Sequence, residues 1–183
     1  MARILLIRHG ESVLGSRKCY AGHLDTPLTT RGRRQVAGLR KRFKRFGVTR
    51  IFTSDLVRCR DTAALLAPGL PVSVSKSLRE MNFGAWEGKT VRQCHRSHRR
   101  RFEAWMQNPS NVTAPRGESL GALSRRARSF VSRAVRRHPG DTLAFVTHGG
   151  VIRTLLSSKP GDFWNFSVPT GAIIEHQWKG GRR

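Results

Sequence analysis

A chain of 183 residues and 20.6 kDa has room for one domain with a sizeable core and is short for two. The 38% of hydrophobic residues fall in periodic blocks, which excludes a disordered chain, and no apolar run reaches the roughly 20 residues of a membrane span. Thirty-five Lys and Arg against eleven Asp and Glu give a formal charge of +24 and a pI near 11.9, a field that attracts anions.

Arginine outnumbers lysine 28 to 7. Two readings of this charge stay open: exposed positions that have drifted to arginine, or a polyanionic partner such as nucleic acid, acidic membrane or polyphosphate. Three cysteines, Cys19, Cys59 and Cys94, are an odd number without framework spacing and suit a reducing compartment. Arg8 interrupts the first apolar run and no small-residue cleavage site follows it, so the amino terminus does not read as a signal peptide, and the expected location is cytoplasmic. Cys94, His95 and His98 stand within reach of one helix face, but their neighbours are cationic and structural zinc takes four ligands, so no metal or other cofactor is expected.

In chain order, residues 2–7 (ARILLI) read as a buried strand. Residues 31–46 place Val36, Leu39, Phe43 and Phe46 at helical spacing, after a Thr29–Thr30 cap and before Gly47 as a stop. A second strand is predicted at 50–54, a helix over 55–67 ended by Pro68–Gly69, and an alternating third strand at 71–75. One helix is predicted over much of 89–106, and a clearer one over 119–137, with Leu120, Leu123, Ala127, Phe130, Val131 and Ala134 on one side. Residues 142–147 (TLAFVT) are a buried strand, 149–157 a helix and 172–178 a final strand. This alternation predicts an α/β fold: a three-layer α/β/α sandwich on a mostly parallel sheet, a single domain over 1–183.

In such folds ligands collect at the carboxyl ends of the strands. The first strand ends at Arg8–His9, the second leads to Arg58, the third towards Glu80 and the fourth ends at His148. Read singly, each of these side chains has an ordinary structural role. Together, two histidines and two arginines beside Gly10, Gly149 and Gly150 describe a pocket for a dianion. Arginine donates paired hydrogen bonds to phosphate, and backbone N–H groups at helix starts add donors. A histidine can then act as nucleophile, with Glu80 as the acid at the leaving group.

The quoted segments also carry a resemblance. LIRHGES (residues 6–12) resembles the signature of the histidine phosphatase superfamily, the phosphoglycerate mutase-like proteins. YAGHLDTPLTTRGRRQV (20–36), FTSDLVRCRDTA (52–63), LREMNFGAWEG (78–88), PRGES (115–119) and VTHGGVIR (146–153) follow in the family's order. The resemblance implies a metal-independent phosphomonoesterase working through a phosphohistidine at His9. In it Arg8, Arg58 and His148 hold the phosphoryl group, Glu80 is the acid and base, and Gly10, Ser16, Gly22 and Gly149 add to substrate binding.

Mutases of the family carry Glu-Arg-His-Tyr-Gly around the acid. Here the run is Glu80-Met81-Asn82-Phe83-Gly84, then Ala85-Trp86-Glu87-Gly88, similar to the branch of α-ribazole phosphatases and broad-specificity phosphatases. That implies a small phosphorylated metabolite such as α-ribazole 5′-phosphate, and a monomer or homodimer. A phosphoglycerate mutase-type phosphotransferase is one alternative. A polyanion-binding protein on the same fold, using 92–101 or 125–137, is another. Two positions depart from the family pattern: Gly15, where many relatives place an asparagine, and Arg116, where relatives favour glycine.

Overall fold

A computed structural model describes residues 2–179. Strand β1 (Ala2–Arg8) is followed by a one-turn helix α1 (Val13–Ser16), then α2 (Thr30–Lys44), β2 (Arg50–Thr53), α3 (Val57–Leu66) and β3 (Val72–Val74). Helices α4 (Val91–Ser97), α5 (Arg99–Gln107) and α6 (Leu120–Arg137) precede β4 (Leu143–Thr147), α7 (Gly149–Leu156) and β5 (Ile173–Trp178). The sheet order is β3-β2-β4-β1-β5, parallel except for β5, which pairs antiparallel to β1.

The inner strands β1, β2 and β4 are apolar on both sides because both faces are covered, whereas the edge strands β3 and β5 alternate with more exposed residues. Leu5, Ile7, Ile51, Ala144 and Val146 pack under α2 and α3 with Val36, Phe43, Cys59 and Leu66. Ile4, Leu6, Phe52 and Phe145 face Leu123, Ala127, Val131, Ile152 and Leu155 of α6 and α7. This is the three-layer α/β/α sandwich that the alternation implies. Register matters most between β1 and β4, where Arg8 pairs with Thr147, so the residues that follow, His9 and His148, leave the sheet side by side.

One expected element differs. The helix predicted over 89–106 is two helices, broken at His98 (φ −144°, ψ 46°). Thr90 and Gln93 form a capping box at the start of α4, and Cys94 of α4 and both Phe102 and Trp105 of α5 are buried in one core. Short 3-10 turns at Lys76–Leu78, Gly84–Trp86 and Pro160–Asn165 also carried no periodic signal.

Helix α2 contains two glycines with opposite surroundings. A Cβ on Gly32 would stand 2.1 Å from the Glu11 carbonyl oxygen, whereas one on Gly38 meets nothing within 4 Å. Gly38→Ala is therefore expected to stabilise the protein by about 0.5–1 kcal/mol through helix propensity. Gly32→Ala is expected to destabilise it by about 1–3 kcal/mol through overpacking. Urea unfolding of the two variants checks this, and equal shifts would show that α2 does not press on the loop after β1.

Candidate active site

His9 follows β1, and its main-chain N–H donates to Thr147 O at 3.0 Å. The side chain is 6% exposed, and its Nδ1 lies 2.7 Å from Gly10 O. A carbonyl only accepts, so Nδ1 carries the proton of the neutral ring and Nε2 keeps its lone pair. Burial, and then the charge of Arg58, hold the His9 pKa down to about 3. At neutral pH His9 is thus an uncharged imidazole with a fixed tautomer.

His148 leaves β4 beside it, the ring centroids 5.1 Å apart and the planes at 67°. Arg58, the second residue of α3, donates from Nε to His148 Nδ1 at 3.3 Å. The proton of His148 therefore sits on Nε2, 3.0 Å from Ser54 Oγ. Burial and the same arginine lower the His148 pKa, so this ring is neutral too.

Arg58 is 1% exposed and makes no ion pair among the described residues. Backbone carbonyls hold it instead: Nη1 donates to Leu24 O at 2.9 Å and Nη2 to Gly22 O at 2.7 Å. Those two carbonyls are placed by Glu87. Its carboxylate accepts from the N–H groups of His23 (2.8 Å), Leu24 (3.0 Å) and Phe83 (3.0 Å), clamping the 22–24 loop to the 83–87 loop. Gly22 turns there at φ +49°, and a Cβ on it would fall 2.0 Å from Glu87 Oε1.

Arg8, half-buried at the end of β1, donates from Nη1 to Val168 O at 2.5 Å, and its guanidinium lies against Gly149, the first residue of α7. Its Nε is buried with no hydrogen-bond partner among the described residues. Glu80 reaches the same end of the sheet: Oε1 accepts from Met81 N at 2.9 Å and Oε2 from Gly150 N at 3.0 Å. Its loop is pinned from behind by Arg126 of α6, which donates to Arg79 O and Glu80 O and pairs with Glu118 at 2.5 Å. Glu118 in turn accepts from Asn82 N at 2.8 Å.

Arg8, His9, Arg58, Glu80, His148 and Gly149 are thereby brought to one end of the sheet. The three other residues expected to bind substrate make these contacts within the protein. The Gly10 N–H donates to Thr62 Oγ1 at 3.1 Å and is not a free donor; glycine is needed because a Cβ would meet Gly32 O at 2.7 Å. Gly22 holds Arg58 through its carbonyl. Ser16 is exposed on α1, where its hydroxyl donates to Val13 O at 2.9 Å. Both nitrogens of His148 are likewise engaged by protein groups, so its contact here is with Arg58 and Ser54. Cys94, His95 and His98 do not converge: Cys94 donates to Trp86 O, His95 pairs with Glu103 and His98 faces Ser97. Arg116 stands at φ +61°, a left-handed conformation that explains a preference for glycine at this position.

Beside Glu80 opens a cleft of about 180 Å³ that sequence reasoning missed. Tyr20, Phe83, Trp105, Met106 and Trp164 line it, with Arg153 as its cation. Val91, Met106 and Trp164, three of the large apolar residues left exposed, ring its mouth. Its rings come from four separate segments, so no single stretch of sequence announces it.

A model of the histidine phosphatase superfamily (branch 1) matches residues 4–183. The chain belongs to that superfamily. This histidine phosphatase is 33% identical over 175 residues to the adenosylcobalamin/α-ribazole phosphatase of Salmonella typhimurium, covering 92% of this chain and 87% of that protein. It is 30% identical to phosphoserine phosphatase 1 of Hydrogenobacter thermophilus, over 91% of this chain and 82% of that one. Its fold superposes on the crystal structure of the α-ribazole phosphatase from Shigella flexneri with a TM-score of 0.86 at 30% identity, over 94% and 89% of the two chains. Like these relatives, the histidine phosphatase is a phosphoric monoester hydrolase. Among its described residues, no helix is long and apolar enough to cross a membrane.

Two predictions come from this geometry. Glu87→Ala frees the loop carbonyls that hold Arg58. It is expected to lower kcat/KM about 10- to 100-fold, as misplacement of a positioning group does, while far-UV circular dichroism stays unchanged; full activity would sink the clamp. The second concerns acid stability. His9 and His148 resist protonation when folded but take up protons near pH 6.5 when unfolded. The unfolded chain binds more protons between about pH 6.5 and 3, so stability falls as the pH drops through that window and is flat above it. Melting temperature in phosphate-free buffer is expected to fall from pH 7.5 to pH 5, and less steeply in His9→Asn.

Proposed function

We propose that this histidine phosphatase hydrolyses a phosphomonoester with a flat, apolar leaving group, of the α-ribazole 5′-phosphate kind, through a phosphohistidine at His9. The observation that carries the substrate class is the cleft beside Glu80, walled by Tyr20, Phe83, Trp105 and Trp164. Aromatic walls suit stacking against a heteroaromatic base. Phosphoserine and 3-phosphoglycerate carry charge where this cleft offers rings and the single cation Arg153.

In the first step the His9 Nε2 lone pair forms a bond to phosphorus as the P–O ester bond breaks. The carboxyl of Glu80 gives its proton to the leaving oxygen. Each Glu80 oxygen accepts one backbone N–H and keeps a further lone pair for this exchange. Water then attacks phosphorus, the P–N bond breaks, and Glu80 takes up the water's proton, which leaves phosphate and neutral His9. Arg8 and Arg58 supply fixed positive charge to the phosphoryl oxygens, the Arg8 Nε being a donor with no protein partner among the described residues. His148 orients Arg58 from one side, as the Gly22 and Leu24 carbonyls do from the other. The neutral state of His9 keeps the nucleophile active well below pH 6.5.

This assignment places the enzyme in cobalamin assembly, where its Salmonella relative is named for the same substrate. A cytoplasmic location agrees with three unpaired cysteines. Phosphate release from α-ribazole 5′-phosphate, phosphoserine and 3-phosphoglycerate tests the reading. The first is expected to have the highest kcat/KM, and His9→Ala to abolish both turnover and acid-labile phosphoprotein. Trp164→Ala is expected to raise KM for α-ribazole 5′-phosphate roughly 3- to 10-fold and to leave KM for phosphoserine unchanged. Equal turnover of all three substrates, with no effect of Trp164→Ala, would remove the base-stacking assignment.

A further inference from the structure

The catalytic machinery uses few of the chain's cations, and the structure shows how the rest are distributed. All eleven side-chain carboxylates are already engaged. Glu11, Asp55, Asp61, Glu103, Glu118, Asp141 and Glu175 pair with cations or histidines. Asp25, Glu80, Glu87 and Asp162 accept backbone N–H groups. No carboxylate remains to neutralise the other basic residues.

The excess is most concentrated on α2. Residues 26–54 contain no Asp or Glu. Within α2, Val36 and Phe43 face the core. The opposite face carries Arg34, Lys41 and Arg45 in one line, flanked by Arg42 and Lys44, and all five are exposed with no side-chain hydrogen bond or ion pair among the described residues. At 1.5 Å per residue the line from Arg34 to Arg45 runs about 16 Å. Between its cations lie exposed Ala37 and Gly38, the latter with open space above it, so a rigid rod can approach the helix closely.

Of the six arginines of α6, Arg126 holds the Glu80 loop, Arg128 donates to the Thr154 and Ser157 carbonyls and Arg133 to Ser129 Oγ, which leaves three exposed without a partner among the described residues (Arg125, Arg136 and Arg137) against the five of α2. The α2 ridge also lies on the α2/α3 face of the sheet, away from the aromatic cleft.

We infer that the exposed face of α2 is a sequence-independent binding surface for duplex nucleic acid. A duplex presents one phosphate charge per about 1.7 Å of axis, a density that matches a ridge of cations without counter-charges. The ridge carries no aromatic side chain on which single-stranded bases could stack. It carries no bulky apolar side chain to enter a bilayer either. Contacts to phosphate alone position a protein without reading sequence.

The test is fluorescence anisotropy of a mixed-sequence DNA duplex of roughly 20 base pairs, titrated with the whole protein across a range of salt concentrations. Wild type is expected to bind with a steep salt dependence. Arg34→Glu/Lys41→Glu/Arg45→Glu is expected to lower the slope of log K against log[salt] by about 3, one phosphate contact for each residue. Arg133→Glu/Arg136→Glu/Arg137→Glu on α6 makes the same change in net charge and is expected to keep most of the affinity. Turnover of a generic aryl phosphate, unchanged in the α2 variant, shows that it is folded. His9→Ala is expected to bind the duplex like wild type, so a failure of the phosphatase reading would leave this result intact. Equal losses in the two triple variants, or no loss in either, would overturn the surface. Tighter binding to single strands of equal length, or to vesicles with anionic lipid, would overturn the duplex assignment.

Discussion

The buried guanidinium of Arg58 is the constraint on which the rest of the site depends. A cation that is 1% exposed and has no carboxylate partner among the described residues is costly to hold in a protein interior. Three neutral acceptors offset the cost in part: the carbonyls of Gly22 and Leu24 and the Nδ1 of His148. None of these cancels the charge. An anion that reaches the end of the sheet therefore meets a positive field that was fixed during folding and needs no reorganisation at the moment of reaction.

The same charge explains the state of both histidines. Next to Arg58 and shielded from water, His9 and His148 stay neutral, and their neighbours fix which nitrogen is protonated: Gly10 O for His9, Arg58 and Ser54 for His148. Around this centre the carboxylates serve as braces. Glu87 ties the 22–24 loop to the 83–87 loop, and Glu118 with Arg126 ties the loop of Glu80 to α6. Acidic residues are scarce in this chain, and two of them hold backbone loops at the rim. Across the sheet, the unpaired cations of α2 are what remains once those few carboxylates are engaged.

The meeting of Arg8 and His9 in LIRHGES with His148 in VTHGGVIR was legible because those residues sit at strand ends, where local sequence and position in the fold coincide. The main helices were legible for a similar reason. Periodicity and caps, such as Thr29 before α2 and Ser119 before α6, are local properties. The break at His98 was not legible, since both halves of 89–106 are helical by pattern and the segment holds no Gly or Pro to mark a stop. Glu87 gave no local sign of its task either; its three partners lie in two loops that meet only in the folded chain.

By itself, the sequence determined the layered α/β architecture, the family and the excess of positive charge, because strand alternation, helical spacing, ordered short motifs and composition need no long-range contact to be read. The tertiary structure decided the rest: that Gly10 donates to Thr62, that Gly22 serves Arg58 through its carbonyl, and that Tyr20, Phe83, Trp105 and Trp164 share one cleft. These are pairings between segments far apart in the chain. Which donor meets which acceptor is fixed only when the loops at the rim are packed against one another.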